Sequence, residues 1–398
     1  MDSWSVCTRA RGHLTPTSAF LLLLCACVGS STNEDTTAVN GTDGTEDTTG
    51  GTTTAGESDG PTWEPVPARG IRLDWVVEEA FAEAAAWHPA VHRVIPINLR
   101  TWLRQPGPGS LRALRHWREA LRAEHYDRVI DSQGLLKSVF IARQARRDQL
   151  HGFDRHSARE SLAGLLVERG HRISPELHAI QRNRLLMAAA LEYPLSGQPD
   201  FGLRDHLRAP GQEPAPLVFL PGTTWRSKLW PEEHWITLSR LALGAGHRVE
   251  LLWGTQQEAD RALRIVRACG PTSGIQVAAS RSSLTQVAGK LAGARAVVGP
   301  DTGLTHLAAA LETPVVGLFG PTPLSRVGLS GPLSINMASE LPCAPCRKRD
   351  CRLLATDSRA AAPCMAGLHP EEVWHRLQGI LRAPQRIMTA RLAGADLA

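Results

Sequence analysis

From Arg72 onward, short apolar runs alternate with stretches of helical periodicity. The runs are typical of buried strands, because aliphatic and β-branched residues are bounded by polar or turn-forming ones. Strands are predicted at residues 73–77, 93–97, 128–131, 150–153, 217–220, 249–253, 275–279, 296–299 and 315–320. Helices are predicted at residues 111–124, 135–147, 176–191, 231–245, 256–269 and 282–293. Alternating strands and helices predict an α/β fold with parallel sheets and right-handed crossovers.

The alternation falls into two series that are separated by residues 194–215, which contain Gly and Pro. A stretch of this composition is typical of a linker between domains. A chain of 398 residues has room for two domains of ordinary size. We therefore expect two Rossmann-like domains, at residues 69–195 and 205–385, with a cleft between them.

Residues 1–62 differ from all that follows. Arg9 and Arg11 precede the apolar segment 19–29, which resembles a short signal-peptide core with a lipobox-like sequence at residues 24–27. Residues 30–60 are almost wholly Ser, Thr, Gly, Asp, Asn and Glu. Such a segment cannot bury enough apolar area to offset its chain entropy, so we expect it to be disordered. Taken literally, residues 1–62 describe an exported, lipid-anchored protein with a flexible stalk.

Composition narrows the possible functions. The formal net charge of +5 is mild for this length and the arginines are spread, so charge alone does not indicate a nucleic-acid partner. A hydrophobic content of 42% is enough for two cores. The sequence has no apolar run of the roughly 18 residues that an ordinary transmembrane helix needs.

The most informative motif is GPDTGLTHLAAA, residues 299–310, directly after a predicted strand. A tight turn leads into a predicted helix, where free backbone N–H groups and the positive end of the helix dipole attract phosphate. Thr302 is expected to be the N-cap, and Asp301, Thr305 and His306 lie at the same end. The alternative is an ordinary turn between strand and helix with a capping Thr.

A second segment, residues 218–235, has the same plan of strand, polar loop and helix. Pro231, Glu232 and Glu233 predict a helix start, with acids at the positive end of the dipole. Hydroxyls and cations suited to phosphate oxygens precede it, at Thr223, Thr224, Arg226 and Lys228. The alternative is a solvated basic loop.

Taken together, the motifs resemble the lipopolysaccharide heptosyltransferases, a glycosyltransferase family with two Rossmann domains in the GT-B arrangement. The likeness spans residues 69–385, and the segments IDSQGLLKS (130–138) and SARE (157–160) resemble the type I branch rather than type II. The matching segments also include residues 74–83, 87–96, 151–160, 182–193, 221–235, 253–262 and 299–311.

The resemblance implies transfer of a heptose from ADP-heptose to the inner Kdo of Kdo-lipid A, with inversion at the anomeric carbon. It implies a peripheral enzyme at the cytoplasmic face of the inner membrane, without cofactor, site metal or nucleic-acid partner. The signal-like segment 9–29 argues against that location. We interpret residues 1–68 as a misassigned start, a frameshift or a fusion attached to a truncated enzyme.

By the same resemblance, residues of the second domain bind the donor and cations of the first bind the acceptor. Glu258 is expected to take the adenosine ribose, the alternative being a helix acid favoured by the dipole. Each acceptor residue is alternatively a surface cation. The donor residues are Thr223, Thr224, Lys228, Glu258, Asp301, Thr302, Gly303 and His306. The acceptor residues are Arg100, Arg104, Lys137 and Arg159.

The departure from the family lies at the front. Family members begin with a strand and a Lys-Ser-Ser-x-Gly-Asp-type loop, whose Asp is the expected general base. Residues 1–68 contain no such loop, and Asp43, Asp47 and Asp59 are poor substitutes. We therefore expect no catalytic Asp and an incomplete first domain, because the first strand of a Rossmann sheet is central and its loss exposes unpaired backbone.

Three other functions remain open at this point: an inactive or weakly active truncated relative, a sugar-nucleotide epimerase of GT-B fold, and a lipid-anchored binding module.

The role of four clustered cysteines is also open. Cys343, Cys346, Cys351 and Cys364 have a spacing that permits a structural zinc site or disulfides, and free thiols are the alternative.

Overall fold

The computed structural model describes residues 3–10, 71–203, 207, 215–271, 274–279, 282–354 and 360–395, of which 3–10 and 383–395 are described by their backbone alone. The predicted disordered segment 30–60 and all of the signal-like segment except Arg9 and Ala10 lie outside these residues. Much of the predicted linker also lies outside them. In the described part of the chain, no helix is both long and apolar enough to cross a bilayer.

The first sheet has six strands in the order β3-β2-β1-β4-β5-β6. Its strands are β1 (Ser3–Ala10), β2 (Ile71–Glu78), β3 (Val91–Ile97), β4 (His125–Asp131), β5 (Arg146–Phe153) and β6 (Arg169–His171). Five strands share one direction, whereas β1 runs antiparallel to both of its neighbours.

The position of β1 corrects two expectations. Residues 1–62 were expected to form only a signal-like and disordered segment, and the first sheet was expected to lack its central strand. Instead, Ser3–Ala10 fills the gap, with Val6 paired to Trp75 on one side and to Ile130 on the other. The physical reason is that two neighbouring strands offer unpaired N–H and C=O groups, which any extended segment can satisfy.

The helices of the first domain cover both faces of this sheet. On one face, Trp117 and Leu121 pack with Ile141 and Ala142 in a shared core. On the other, Leu186 and other residues of a long helix pack on β2, β4 and β5. The helices are α1 (Ala82–Ala85), α2 (Leu99–Arg104), α3 (Pro108–Arg122), α4 (Leu136–Ala142), α5 (Ser161–Leu165) and α6 (Ala179–Leu191).

The second sheet has six parallel strands in the order β12-β11-β10-β7-β8-β9. Its strands are β7 (Leu217–Phe219), β8 (Val249–Leu251), β9 (Ile275–Val277), β10 (Ala296–Pro300), β11 (Val315–Phe319) and β12 (Ser334–Ala338). Both faces of this sheet are buried, as expected where crossover helices cover a parallel sheet.

The helices of the second domain are α7 (Glu232–Gly244), α8 (Gln256–Cys269), α9 (Leu284–Ala292), α10 (Gly303–Ala310), α11 (Leu324–Val327), α12 (Pro363–Ala366) and α13 (Pro370–Ala395). Among them, α7 begins after Pro231 with Glu232 and Glu233 in its first turn, as predicted. Its Trp235 packs edge-on against Trp230, and both side chains are fully buried.

All nine predicted strands are confirmed, with shifts of a few residues at their ends. The helix predicted at 135–147 is wrong at its end, because the chain already turns into β5 at Arg146. The boundary was not predicted because β5 begins with polar residues, which give no hydrophobic strand signal. The short strands β6 and β12 were not predicted, since Arg169–His171 contains no aliphatic residue and Ser334–Ala338 follows no clear alternation.

Candidate functional site

The candidate site lies where parallel strands of both sheets end. Ligands of open α/β sheets bind outside the carboxyl ends of the strands. In the second sheet β10 ends at Pro300 and β7 ends at Phe219, and these two strands are hydrogen-bonded neighbours. The two predicted phosphate loops that follow them are therefore brought side by side.

Hydrogen bonds join the two domains beside this site. The carboxylate of Glu83 accepts from the backbone N–H groups of Leu284 (3.1 Å) and Thr285 (2.9 Å), the first two residues after the Ser283 cap of α9. Trp87 Nε1 donates to Thr285 Oγ1 at 2.8 Å. The hydrogen bonds from Thr285 outweigh burial and hold the pKa of Glu83 below its ordinary value. A helix start of the second domain is thus capped by the first.

Asp301 is the centre of the donor loops. Its Oδ2 lies 2.8 Å from Lys228 Nζ, and its Oδ1 lies 2.9 Å from His306 Nε2. Lys228 Nζ also donates to the Asp301 carbonyl at 3.1 Å and lies 4.4 Å from the centre of the Trp225 ring. Asp301 and His306 are only 8% and 5% exposed. The structure therefore brings together three of the predicted donor residues, across 73 positions of sequence.

The electrostatics of this cluster favour an ionised Asp301. Burial alone would raise the pKa of this carboxyl, but the hydrogen bond from His306 and the charge of Lys228 outweigh it and hold the pKa well below the ordinary value. Because the pKa is lowered, the stabilisation is complete above the ordinary Asp range and is lost as the pH falls below it. The ion pair is thus intact at neutral pH.

The start of α10 has the predicted place but not the predicted cap. Thr302 is the N-cap residue, yet its side chain makes no capping hydrogen bond. Its Oγ1 lies 3.1 Å from Thr305 Oγ1, and Thr305 donates instead to the Pro300 carbonyl at 2.7 Å. Thr302 is thus at the predicted N-cap position, but the expectation that its side chain caps the helix is wrong. The side chain of Thr302 and the backbone of Gly303 are partly exposed at the positive end of the helix.

The loop after β7 presents the other predicted residues. Thr223 is partly exposed, and its Oγ1 accepts from Trp225 N at 3.4 Å, while Thr224 is exposed. Ser227 anchors the loop to a distant segment: its N–H donates to the Arg349 carbonyl (3.0 Å) and its Oγ to the Lys348 carbonyl (2.6 Å). The cysteine-containing segment therefore supports the loop that carries Lys228.

Glu258 was expected either to bind the adenosine ribose or to act as an acid at a helix start, and its two carboxylate oxygens have different surroundings. Its Oε2 accepts from Gly254 N (2.8 Å) and Thr255 N (3.0 Å), which completes a capping box with Thr255 at the start of α8. Its Oε1 lies against Gly222, where a Cβ would collide with the carboxylate. Oε2 therefore acts as the acid at the helix start, while Oε1 faces the loop that carries Thr223 and Thr224.

Replacing Gly222 by alanine tests whether this close approach matters. The added Cβ displaces the Glu258 carboxylate and disrupts the capping box, so we expect the free energy of unfolding to fall by about 1–3 kcal/mol. Gly244→Ala is the matched control, because no atom lies within 4 Å of its added Cβ. Urea denaturation measures both variants. Equal stability of the Gly222 variant and the wild type would contradict a fixed Glu258.

The predicted acceptor residues separate into two groups. Lys137 follows β4 and Arg159 follows β5, which are neighbouring strands. Arg100 and Arg104 follow β3, at the far edge of the sheet. Since strands are spaced about 4.8 Å apart, the three spacings to β4 and the four to β5 place these two groups roughly 14–19 Å apart. The four cations therefore do not form one compact subsite.

Arg159 belongs to an arginine cluster that sequence reasoning missed. Burial and the charges of Arg326 and Arg159 lower the pKa of Arg182. Burial and the charges of Arg347 and Arg159 likewise lower the pKa of Arg326, with Glu176 opposing the shift. Arg182 is positioned by the Phe153 ring, 4.4 Å from its guanidinium carbon, and by the Ser157 carbonyl. Arg326 Nη1 also lies 3.9 Å from Glu176 Oε1, so the cluster holds one acid beside its four cations, and it is a candidate anion site that draws on both domains.

Asp131, at the end of β4, is a fully buried carboxyl of the first domain. It accepts from Gln133 N and from Ser138 Oγ, both at 3.0 Å. Complete burial raises its pKa to about 6, although both hydrogen bonds act in the opposite direction. Its bonds hold the turn into α4, and it is sealed from solvent.

The pH dependence of stability tests this assignment. A carboxyl whose pKa rises from 3.8 to about 6 on folding makes the fold less stable as the pH rises through that interval. The expected loss is about 3 kcal/mol. Asp131→Asn removes this decline, whereas Ser138→Ala makes it steeper because it deletes a bond to the charged form. Urea denaturation between pH 4 and pH 7 measures both, and parallel profiles for all three proteins would contradict the raised pKa.

The four clustered cysteines are free thiols. Cys343 and Cys346 are exposed, Cys351 is partly exposed, and Cys364 is buried in the core of the second domain. Burial, followed by the neighbouring Cys346, Cys351 and Cys343, raises the pKa of the Cys364 thiol to about 11. In the described residues, no group of three or more His, Cys, Asp or Glu side chains has a geometry that could hold a metal ion.

Comparisons with known proteins agree with this geometry. The model of glycosyltransferase family 9 (heptosyltransferase) matches residues 114–356, more than half of the chain. Lipopolysaccharide heptosyltransferase 1 of Pseudomonas aeruginosa is 42% identical over 332 residues, which cover 80% of this chain and 92% of that protein.

Solved structures show the same likeness. The E. coli heptosyltransferase WaaC with ADP superposes with a TM-score of 0.67 at 36% identity, covering 77% of this chain and 89% of that one. The structure of WaaC with ADP-2-deoxy-2-fluoro heptose has a TM-score of 0.64 at the same identity and coverage. These relatives confirm the two-domain GT-B architecture and do not favour the epimerase alternative. The chain belongs to glycosyltransferase family 9, the heptosyltransferases, and within that family it is similar to heptosyltransferase 1.

Proposed function

We propose that the chain carries the machinery for transferring L-glycero-D-manno-heptose from ADP-heptose to Kdo-lipid A, with inversion at the anomeric carbon. The observation that carries the proposal is the buried Lys228–Asp301–His306 cluster beside the open start of α10. The proposal is supported by the likeness to heptosyltransferase 1 and to a heptosyltransferase whose structure contains ADP.

The donor diphosphate binds between the two loops of the second domain. Backbone N–H groups at Thr302 and Gly303 and the dipole of α10 face its oxygens, and Lys228 supplies a full positive charge. Thr223 and Thr224 offer hydroxyls from the other loop. Glu258 takes the adenosine ribose with the oxygen that faces Gly222.

Departure of ADP places negative charge on the diphosphate in the transition state. Charges and dipoles that are already in position stabilise this charge without reorganisation. Asp301 fixes Lys228 in place, because the ammonium bonds both the carboxylate and the backbone carbonyl of this residue. Lys228 is therefore held beside α10 before the donor arrives.

The acceptor approaches from the first domain. Kdo carries a carboxylate and lipid A carries phosphates, and both match the arginine cluster of Arg159, Arg182, Arg326 and Arg347. Lys137 lies in the first turn of the neighbouring helix α4. We assign Arg100 and Arg104 to the periphery of the acceptor surface, because they lie at the far edge of the sheet.

The acceptor hydroxyl must lose a proton, and we propose that residues 1–68 do not supply the base. The antiparallel direction of β1 puts Ser3, rather than a loop after the strand, at the carboxyl edge of β2. Asp131 is a poor base, since its carboxylate is buried and already bonded to Gln133 and Ser138. The proposed donor and acceptor sites lie outside residues 1–68, and without a base from that segment we expect transfer to be slow.

We place this chemistry at the cytoplasmic face of the inner membrane. Nucleotide-activated sugars are expected in the cytosol, and the acceptor is a lipid. The signal-like segment 9–29 would direct the protein elsewhere, and the two locations are distinguished by experiment. Cell fractionation tests this location, because a lipid-modified periplasmic product would contradict it.

Incubation of the full chain with ADP-heptose and Kdo-lipid A tests the function. The expected result is slow formation of heptosyl-Kdo-lipid A together with ADP, both detected by mass spectrometry. Incubation with ADP-heptose alone is the control, in which an epimerised donor would support the epimerase alternative. Absence of donor binding and of product, also after the front of the domain is restored, would overturn the proposal.

A further inference from the structure

Large apolar side chains are exposed on one part of the molecule. Among the described side chains, twelve large hydrophobic residues are prominently exposed, and eight of them lie on or directly after α2–α5. Leu103 is 71% exposed, and Leu111 and Phe140 are each 66% exposed. We call these eight residues the apolar face: Leu103, Leu111, Leu114, Leu136, Phe140, Leu162, Leu165 and Leu166.

The apolar face is one layer of the fold. Helices α2, α3 and α4 contribute Trp102, Trp117 and Ile141 to the same core cluster, so they cover the same side of the first sheet. Helix α5 packs against α4, and α2 packs against α3. The exposed residues therefore form the outer surface of a single helical layer.

The apolar stripe of α3 continues beyond the core. Its second half buries Trp117 and Leu121, whereas Leu114, on nearly the same side of the helix, is exposed. Leu111, roughly 80–120° away from Trp117 and Leu121 around the helix, is exposed too. Since α2 and α4 begin where β3 and β4 end, Leu103 and Leu136 lie near the carboxyl edge of the sheet. The first half of α3 lies at that edge too, so the apolar face adjoins the proposed acceptor side.

The same helices are strongly basic. Helices α2, α3 and α4 contain seven cations against one acid, Glu119, which gives a formal net charge of +6. The cations are Arg100, Arg104, Arg112, Arg115, Arg118, Arg122 and Lys137. A second copy of this chain is a poor occupant, because a two-fold contact would oppose two surfaces of like charge. Apolar side chains among arginines instead match the acyl boundary and phosphates of an anionic bilayer.

We propose that the apolar face docks on an anionic phospholipid bilayer. Leu103, Leu111 and Phe140 enter the boundary between headgroups and acyl chains, and Arg112, Arg115 and Arg118 contact lipid phosphates. Trp102, which is partly exposed, lies at the level of the headgroups. The inference rests on the proposed function for its lipid acceptor, and it names the surface and the lipid charge by which that acceptor is approached.

Vesicle flotation with the full chain tests the proposal. We expect binding to phosphatidylcholine vesicles that contain about one third phosphatidylglycerol, weak binding to pure phosphatidylcholine, and release at high salt. The triple variant Leu103→Gln, Leu111→Gln, Phe140→Gln is expected to bind the anionic vesicles roughly tenfold more weakly or worse. Leu263→Gln with Leu353→Gln, two exposed leucines outside the apolar face, is the matched control and is expected to bind like the wild type.

The outcomes separate docking from function. Heptose transfer to a deacylated, water-soluble Kdo acceptor is measured on the same proteins, and the triple variant is expected to match the wild type. Equal vesicle binding by the triple variant and the wild type would overturn the docking proposal, as would a dimer in sedimentation that the triple variant abolishes. Docking without donor binding and without transfer, also after the front of the domain is restored, would overturn the proposed function alone. Circular dichroism of each variant verifies that it is folded.

Discussion

Restoring a family-type front end is expected to raise the transfer rate of this chain by about 10²–10⁴-fold. The change replaces residues 1–68 by a strand, a Lys-Ser-Ser-x-Gly-Asp-type loop and a helix. A parallel strand in the place of β1 delivers its loop, and the loop aspartate, to the carboxyl edge of β2 and β4. Such a carboxylate can accept the proton of the acceptor hydroxyl, which buried Asp131 cannot. Initial rates with ADP-heptose and Kdo-lipid A measure the effect.

The restored protein carries its own control. Changing the loop aspartate to asparagine keeps the strand and removes the base, so the rate should return toward that of the present chain. ADP affinity should be equal in all three proteins, because the donor loops belong to the second domain. A present chain that is as fast as the restored one would show that residues 1–68 or another carboxylate already supply the base.

Asp301→Ala is expected to lower the free energy of unfolding by about 3–5 kcal/mol. The side chain is buried and holds both Lys228 and His306, so its removal leaves a buried ammonium without its carboxylate. Urea denaturation at neutral pH measures the loss. Because Lys228 and Asp301 are in contact, the double variant Lys228→Met, Asp301→Ala should cost less than the sum of the two single changes, by about 0.5–3 kcal/mol.

A second lysine–carboxylate pair in the same domain provides a comparison for the stability loss of Asp301→Ala. Glu250 accepts from Lys290 at 2.5 Å between β8 and α9, and Lys290 is 35% exposed. Water can replace more of that interaction, so Glu250→Ala should cost less than Asp301→Ala. Strictly additive losses for Lys228 and Asp301, or a loss under about 1 kcal/mol for Asp301→Ala, would contradict a coupled buried pair.

Much of the architecture could be predicted from local patterns. The strands of both sheets are short apolar runs between polar loops, and their alternation with helices fixes the parallel arrangement. The exceptions have physical causes. Strand β1 is held by its place between two strands with unpaired edges, a long-range effect that its own residues do not reveal. β6 was missed because three residues of Arg, Gly and His carry no hydrophobic signal.

The part of the candidate site whose residues are close together in the sequence could be predicted. Asp301, Thr302, Gly303 and His306 lie within one motif, so their proximity followed from the sequence. The arginine cluster was not predictable in this way, because Arg182 and Arg326 are brought together only by the packing of two domains. The separation of Arg100 and Arg104 from Arg159 likewise depends on strand order, which residue spacing does not show.

We expect the second domain to bind a diphosphate through the start of α10 and Lys228. Calorimetric titration of the full chain with ADP tests it most directly, using Lys228→Met and, as the matched control, Lys290→Met. The expected result is one binding site with measurable heat in the wild type and in the Lys290 variant, and affinity at least roughly tenfold weaker in the Lys228 variant. No heat in the wild type, or equal affinity in all three proteins, would contradict it.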